Sequence, residues 1–174
     1  MDFLNSIKDL IPDYAKDIRL NVDGTIARSS LAPEQALGVA LAAAFAAKSK
    51  TMVDIIKNSG ALPEVEVQAA LTAAALMGMN NAWYPFTEMT EDKELQASPA
   101  QLRMNAYASS GGTSKVNFEL YALAASVIGK CHFCIKSHYD LLKQHGMTMQ
   151  QLKDAGRIAA TLNAAAQVLA AEGK

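Results

Sequence analysis

Residues 33–47 read PEQALGVALAAAFAA, and this run indicates the fold class of the chain. Alanine has the highest intrinsic helix propensity, and proline fits the first helical position because its missing N–H needs no partner there. We therefore expect a helix from Pro33 to about Lys48. Similar alanine-rich runs recur along the chain, only 10 glycines and 5 prolines interrupt them, and no alternating β-branched stretch is visible. The sequence predicts an all-α fold.

Prolines, glycines and capping residues divide the rest of the chain into further helices. Residues 21–24, Asn-Val-Asp-Gly, are typical of a turn. Thr148 and Gln151 resemble a capping box at the start of the last helix. The pattern loosens over residues 80–112, which we interpret as a solvated connection. The other predicted helices span residues 12 to about 20, 49 to about 60, 63 to about 79, 101–106, 114 to about 129, 131 to about 145 and 148 to about 172.

The two halves of the chain resemble each other at an offset of 85 or 86 residues. Each half has a helix, a shorter helix that ends at a glycine, and then a long alanine-rich helix. These glycines are Gly60 and Gly146. We therefore predict an internally duplicated helical unit, at about residues 33–82 and 117–170, within one domain that spans residues 1–174.

Composition and charge exclude several classes of protein. A chain that is 51% hydrophobic with a net charge of −1 is not of the disordered type, and it has no electrostatic footprint for nucleic acid. The longest apolar run, residues 39–47, is shorter than the ~20 residues that cross a bilayer. Two cysteines are too few for a disulfide scaffold, and residues 1–5 lack the features of a signal peptide. We expect a soluble protein of the reducing cytoplasm, without nucleic-acid or membrane partners.

Residues 131–138, Cys-His-Phe-Cys-Ile-Lys-Ser-His, contain both cysteines of the protein. Cysteines three residues apart at the start of a helix can form a disulfide that closes a very small ring. So small a ring stabilises a fold little through chain entropy. The function of such a disulfide is therefore its reversible reduction and oxidation. The helix N-terminus also favours a thiolate. This spacing predicts a redox-active pair, Cys131 and Cys134.

His138 follows Cys134 by four residues and Cys131 by seven, so the three side chains share one helix face. An imidazole one turn from a thiol can take its proton and return it. Glu119 lies in the preceding predicted helix. We expect a tight helix–turn–helix to bring its carboxylate to His138, where it would fix the tautomer of the ring.

Two other interpretations of the cysteines stay open. They can be inert thiols of the core. They can also bind zinc together with His138 or His132, although a closed site would need a fourth ligand from elsewhere. We expect no metal, we expect His132 to be exposed with at most an accessory role, and we expect His145 to act as a favourable cation at a helix C-terminus.

The spacing of Glu119, Cys131, Cys134 and His138 is similar to the E-x11-C-x2-C-x3-H pattern of the alkyl hydroperoxide reductase AhpD family, in the carboxymuconolactone decarboxylase-like superfamily. The resemblance covers nearly the whole chain. Further segments that resemble this family are residues 12–18, 77–81, 102–105 and 117–120.

The resemblance implies an all-α fold with a duplicated helical unit, usually assembled as a homotrimer. It also implies peroxide reduction by a dithiol cycle. Cys134 becomes the sulfenic acid, Cys131 donates a proton and resolves that acid to the disulfide, and Glu119 and His138 form the proton relay. A histidine that many members carry in the spacer is replaced here by Phe133, and a histidine stands one position earlier, at His132.

The resemblance further implies the source of electrons. Family members are reduced by dihydrolipoyl groups on a 2-oxo-acid dehydrogenase component, and they reduce the peroxiredoxin AhpC. No GxGxxG fingerprint or haem or flavin site is visible, so we expect no bound cofactor. The sequence leaves two alternatives open: a disulfide adaptor without peroxidase activity of its own, and a zinc-binding or structural trimer.

Overall fold

The structure is a computed structural model that describes residues 3–174, and across this range it is helical with no β-strand. The prediction of an all-α fold is confirmed. Residues 1 and 2 lie outside the described residues. They belong to the predicted domain of residues 1–174 and to residues 1–5, which lack the features of a signal peptide. The helices are α1 (Phe3–Lys8), α2 (Lys16–Ile26), α3 (Pro33–Ala46), α4 (Lys50–Asn58), α5 (Glu64–Met89), α6 (Lys93–Ala97), α7 (Asn105–Ala108), α8 (Lys115–Gly129), α9 (His132–Gln144) and α10 (Met149–Ala171).

Helices α3 and α8 form the centre of the molecule. They pack against each other, and both contact α5 and α10. Residues 36–44 of α3 and residues 118–126 of α8 are all buried. A helix that is apolar on every face is stable only when it is surrounded. The small alanine side chains allow this because they let neighbouring helices approach closely.

Gly38 allows α3 to pack closely against α8. A Cβ atom at this position would lie 2.2 Å from Cε1 of Tyr121, so only glycine leaves room for the tyrosine ring. Gly129 plays the same part where α8 ends, because a Cβ atom there would lie 2.1 Å from Nδ2 of Asn81 on α5. These two contacts fix the position of α8, from which the next helix, α9, departs.

The predicted turn at residues 21–24 is wrong, because α2 continues without a break to Ile26. Val22 is fully buried and Thr25 and Ile26 are nearly so, where α2 packs on α10. Burial of this apolar face outweighs the turn preference of the Asn and Gly residues.

The helix predicted to end near residue 79 extends ten residues further, to Met89, and includes Pro85. A proline inside a helix removes one hydrogen bond. The extension is nevertheless anchored, because Asn80 and Thr87 are buried and the Thr87 hydroxyl donates to the carbonyl of Tyr84 at 2.9 Å. The extended part of α5 packs beside α9, where Tyr84 stacks on Phe133.

The predicted helix over residues 101–106 is also misplaced. The structure has a helix at Asn105–Ala108, and the residues before it are not helical. Gln101 has a φ of 52°, in the left-handed region that a right-handed helix cannot contain. The connection over residues 80–112 is thus more ordered than predicted, since it contains the end of α5 together with α6 and α7.

The order of helices is similar in the two halves of the chain. Helices α3, α4 and α5 have 14, 9 and 26 residues, and α8, α9 and α10 have 15, 13 and 23. Gly60 and Gly146 both have positive φ, of 69° and 85°. The internal duplication and its boundaries stay a prediction. Among residues 3–174, no helix combines the length and the hydropathy needed to cross a bilayer.

Asp154 of α10 ties the segment before α3 to the last helix. The backbone N–H and the hydroxyl of Ser30 donate to Oδ2 at 2.9 and 2.7 Å, and Gln150 and Arg157 donate to Oδ1 at 3.1 and 3.0 Å. Burial alone would raise the pKa of Asp154, but these donors outweigh it and lower the pKa to about 2.

We expect the Asp154→Asn variant to lose a stabilisation that depends on pH. The folded-state pKa lies below the 3.8 of an unperturbed aspartate, so the stabilisation is complete above that value and disappears as the pH falls through about 2. The variant should be less stable than wild type by up to about 2 kcal/mol at neutral pH and nearly equal to it in strong acid. Urea unfolding at pH 6, 4 and 2.5 should show a full difference at pH 6 and a clearly smaller one at pH 2.5. A difference that is constant with pH would contradict the prediction.

Candidate active site

Cys131 and Cys134 stand at the N-terminus of α9 and are joined in a disulfide, with their Cα atoms 5.3 Å apart. Lys130 takes a left-handed conformation at the end of α8, and Cys131 is the N-cap of α9. The turn between the two helices is therefore only two residues long. The Cys134 N–H donates to Sγ of Cys131 at 3.2 Å, so a helix-terminal amide points at this sulfur.

The two sulfurs differ in their access to solvent. Cys131 is fully buried, whereas Cys134 is 3% exposed and lines a cleft of about 410 Å³. His138 and Tyr107 line the same cleft, and Cys131 is not among its lining residues. A small molecule that enters this cleft therefore meets Cys134 first.

His138, which lines this cleft, forms a buried pair with Glu119. Nδ1 of His138 lies 2.6 Å from Oε2 of Glu119, and the two side chains are 6% and 1% exposed. Helix α8 carries the glutamate and α9 the histidine, so the short turn between these helices produces the contact that the sequence predicts.

Three hydrogen-bond donors surround the Glu119 carboxyl group and favour its ionised form. Burial alone would raise its pKa, but hydrogen bonds from His138, Lys115 and Tyr107 outweigh burial and lower the pKa to about 2. Nζ of Lys115 lies 2.6 Å from Oε1, and the Tyr107 hydroxyl donates to the same oxygen at 2.5 Å. A carboxylate only accepts hydrogen bonds, so Nδ1 of His138 must carry a proton and donate it.

The second nitrogen of His138 has a partner that the sequence does not reveal. Nε2 lies 3.2 Å from the thioether sulfur of Met77, which is fully buried on α5. The sequence predicts a helix that ends near residue 79, but Met77 lies well inside α5. While the cysteines are joined in the disulfide, Nε2 thus contacts the sulfur of Met77, which is a weak hydrogen-bond acceptor.

Lys115 and Tyr107 are also additions to the predicted site. Lys115 precedes Glu119 by four residues on a predicted helix, so helical spacing could have identified it. Tyr107 could not have been identified, because it lies on the short helix α7 that the sequence places elsewhere.

His132 lies apart from the relay. Its side chain is 82% exposed, and Nδ1 is 3.8 Å from Oε1 of Glu88. It lines a larger cleft of about 660 Å³ rather than the cleft of Cys134. Stacked rings of Tyr84 and Phe133, with centroids 4.4 Å apart, border both clefts. His145 is exposed at the C-terminal end of α9.

No group of three or more His, Cys, Asp or Glu side chains suited to a metal ion occurs in the part of the chain that the structure describes. What the geometry does assemble is a cysteine pair, an imidazole with a fixed tautomer and an ionised carboxylate. Such a set can exchange electrons through the sulfurs and protons through the imidazole.

Comparisons with known proteins agree with this geometry. Residues 93–173 match the model of the carboxymuconolactone decarboxylase family. An alkyl hydroperoxide reductase AhpD from Coxiella burnetii is 41% identical over 176 residues, which cover 98% of this chain and 99% of the relative. Proteins with the same name from Hyphomonas neptunium and Rhodospirillum centenum are 42% and 40% identical over 171 residues, which cover 97% of this chain and 94% and 91% of the relatives.

Proposed function

Because this chain belongs to the alkyl hydroperoxide reductase AhpD family, within the carboxymuconolactone decarboxylase-like superfamily, we propose that it is a thiol-dependent peroxidase and disulfide reductase of an antioxidant system. One observation carries the proposal. Cys134, which is linked to the buried Cys131, lines a cleft together with His138, and His138 is paired with the buried Glu119.

The reaction begins with the reduced dithiol. The Cys134 thiolate attacks the terminal oxygen of an alkyl hydroperoxide and the O–O bond breaks, which leaves a sulfenic acid on Cys134. The alkoxide takes up the proton that the thiol released and departs as the alcohol. The Cys131 sulfur then attacks Cys134, the S–O bond breaks, and hydroxide leaves as water with the proton from Cys131. The dithiol has lost two electrons and the peroxide has gained them.

The relay residues move the protons of these steps. Glu119 holds Nδ1–H of His138, so Nε2 is the nitrogen that accepts a proton from a thiol and returns it to the leaving oxygen. The ionised carboxylate also stabilises the imidazolium that forms in between. Nε2 contacts Met77 in the disulfide form. We propose that a thiol formed on reduction takes the place of Met77 as its partner.

A dihydrolipoyl group restores the dithiol in this proposal. Its two thiols reduce the disulfide and become the cyclic lipoyl disulfide, so two electrons and two protons are transferred. We propose that the donor is carried by a 2-oxo-acid dehydrogenase component in the cytoplasm, that the peroxiredoxin AhpC is a second electron acceptor, and that the protein is a homotrimer.

A peroxidase assay tests this function. We expect the purified protein with dihydrolipoamide to consume an alkyl hydroperoxide without any other protein. Loss of peroxide is measured with and without a peroxiredoxin. Consumption only when the peroxiredoxin is present would show a disulfide adaptor instead. Stoichiometric zinc that blocks formation of the disulfide would show a metal-binding protein and would overturn the proposal.

A further inference from the structure

Tyr107 connects the wall of the cysteine cleft to the proton relay. It lies on α7 and lines the cleft together with Cys134 and His138. Its hydroxyl donates to Oε1 of Glu119 at 2.5 Å. Its ring is held by Phe118, edge-on with centroids 5.6 Å apart, and by the Lys115 ammonium 4.2 Å from the ring centroid.

We propose that Tyr107 is a positioning residue for the peroxidase reaction, which holds the Glu119 carboxylate so that Oε2 stays on Nδ1 of His138 and Nε2 stays the nitrogen that can accept a proton. The inference rests on the proposed function, because it concerns the same relay. Tyr107 acts through Glu119 and needs no contact of its own with the peroxide.

The two oxygens of the Glu119 carboxylate have different partners, which explains why Oε1 must be held as well as Oε2. Oε2 accepts from His138, and Oε1 accepts from Tyr107 and Lys115. If Oε1 were released, the carboxylate could rotate about its terminal bond and break the contact with His138. A fixed acceptor on Nδ1–H is what keeps an imidazole in one tautomer.

Lys115 alone is a poor anchor for this purpose. Its side chain is 39% exposed and it lies on the same helix as Glu119, so it can turn into solvent without moving any other element. Tyr107 comes from a different segment, and its ring packs edge-on against the fully buried Phe118. Burial, and then the neighbouring Glu119 carboxylate, raise the pKa of Tyr107, so its hydroxyl stays a donor wherever the thiols react.

The test is the Tyr107→Phe variant, which removes the hydroxyl and keeps the ring. We expect kcat/KM with dihydrolipoamide and alkyl hydroperoxide to fall about tenfold, as for the loss of one hydrogen bond to a charged group. Histidine labelled with ¹⁵N gives a readout that packing alone would not move. In wild type the Nδ1–H proton of His138 should resonate far downfield and exchange slowly. In the variant it should move upfield and exchange faster.

Tyr121→Phe is the matched control, because Tyr121 also donates to a buried glutamate, Glu66. Tyr121 follows Glu119 by two residues on α8, so the two side chains leave the helix on nearly opposite faces. The control variant should lower the melting temperature and leave kcat/KM and the His138 signal unchanged. The positioning role is overturned if Tyr107→Phe behaves as wild type in both readouts, or if Tyr121→Phe reproduces both changes. If wild type itself consumes no peroxide, the proposed function fails, and the ring-proton signal alone supports or overturns the role of Tyr107.

Discussion

Consumption of peroxide is expected to fall by about three orders of magnitude or more when Cys134 is replaced by serine. A serine hydroxyl is not ionised near neutral pH, so this variant lacks an effective nucleophile at position 134, which lines the cleft. The rate of alkyl hydroperoxide loss with dihydrolipoamide as reductant measures the effect. Full turnover by Cys134→Ser would contradict the proposed reaction, because that reaction begins with attack by the Cys134 thiolate.

The Cys131→Ser variant is the matched control, because it removes the other sulfur of the same ring. We expect it to react once and then stop. Cys134 should become a sulfenic acid that cannot be resolved, and a sulfenic-acid trap should add its mass to the peptide that contains Cys134. If the trapped sulfenic acid appears instead on Cys131 in the Cys134→Ser protein, the roles of the two cysteines are reversed.

Two physical criteria select different sulfurs, which makes this comparison informative. Hydrogen bonding favours a thiolate on Cys131, because the Cys134 N–H at the start of α9 points at its Sγ atom. Access favours attack by Cys134, because Cys131 is fully buried and Cys134 lines the cleft. The two criteria agree if Cys134 meets the peroxide, and the Cys134 N–H favours the thiolate that Cys131 forms when it gives up its proton and resolves the sulfenic acid.

The features that the sequence predicts well are those determined by local spacing. Helices α8, α9 and α10 begin where the sequence places them, directly after the capping residues Ser114, Cys131 and Thr148, and the short turn at residues 130–131 follows directly. The contact of Glu119 with His138 follows in turn, because two helices joined by so short a turn must pack side by side.

The features that the sequence does not predict depend on contacts between distant segments. Burial against α10 keeps residues 21–24 helical, and packing beside α9 carries α5 through Pro85. Met77 reaches His138 across 61 positions of sequence, so no local pattern marks it as part of the site. Tyr107 was not predicted because the sequence places a helix over residues 101–106. In the structure Gln101 is left-handed, and α7 begins only at Asn105.

Replacing Glu119 by glutamine is expected to slow turnover about a hundredfold, the range of a lost acid–base contribution. The amide has one acceptor oxygen where the carboxylate has two, yet three donors converge on it, from His138, Lys115 and Tyr107. The imidazolium formed during proton transfer also loses its counter-charge. Steady-state kinetics at a temperature well below the melting point of the variant separate this effect from unfolding.

Glu66→Gln is the control for the loss of a buried carboxylate. Glu66 accepts hydrogen bonds from Tyr121, Thr113 and Asn117 and has no contact with the cysteine pair. We expect it to lower stability and to leave turnover intact. Equal losses of activity in the two variants would mean that Glu119 acts only through the fold.

The pH profile adds an independent check on Glu119. Its pKa of about 2 means that the carboxylate is fully ionised throughout the range in which thiol chemistry is measured. Its titration therefore contributes no limb to the profile of kcat/KM above about pH 4. The deficit of Glu119→Gln should accordingly be similar at every pH in that range. A deficit that disappears at the acidic end would mean that wild-type Glu119 is protonated there, which would contradict the network of three donors that holds it ionised.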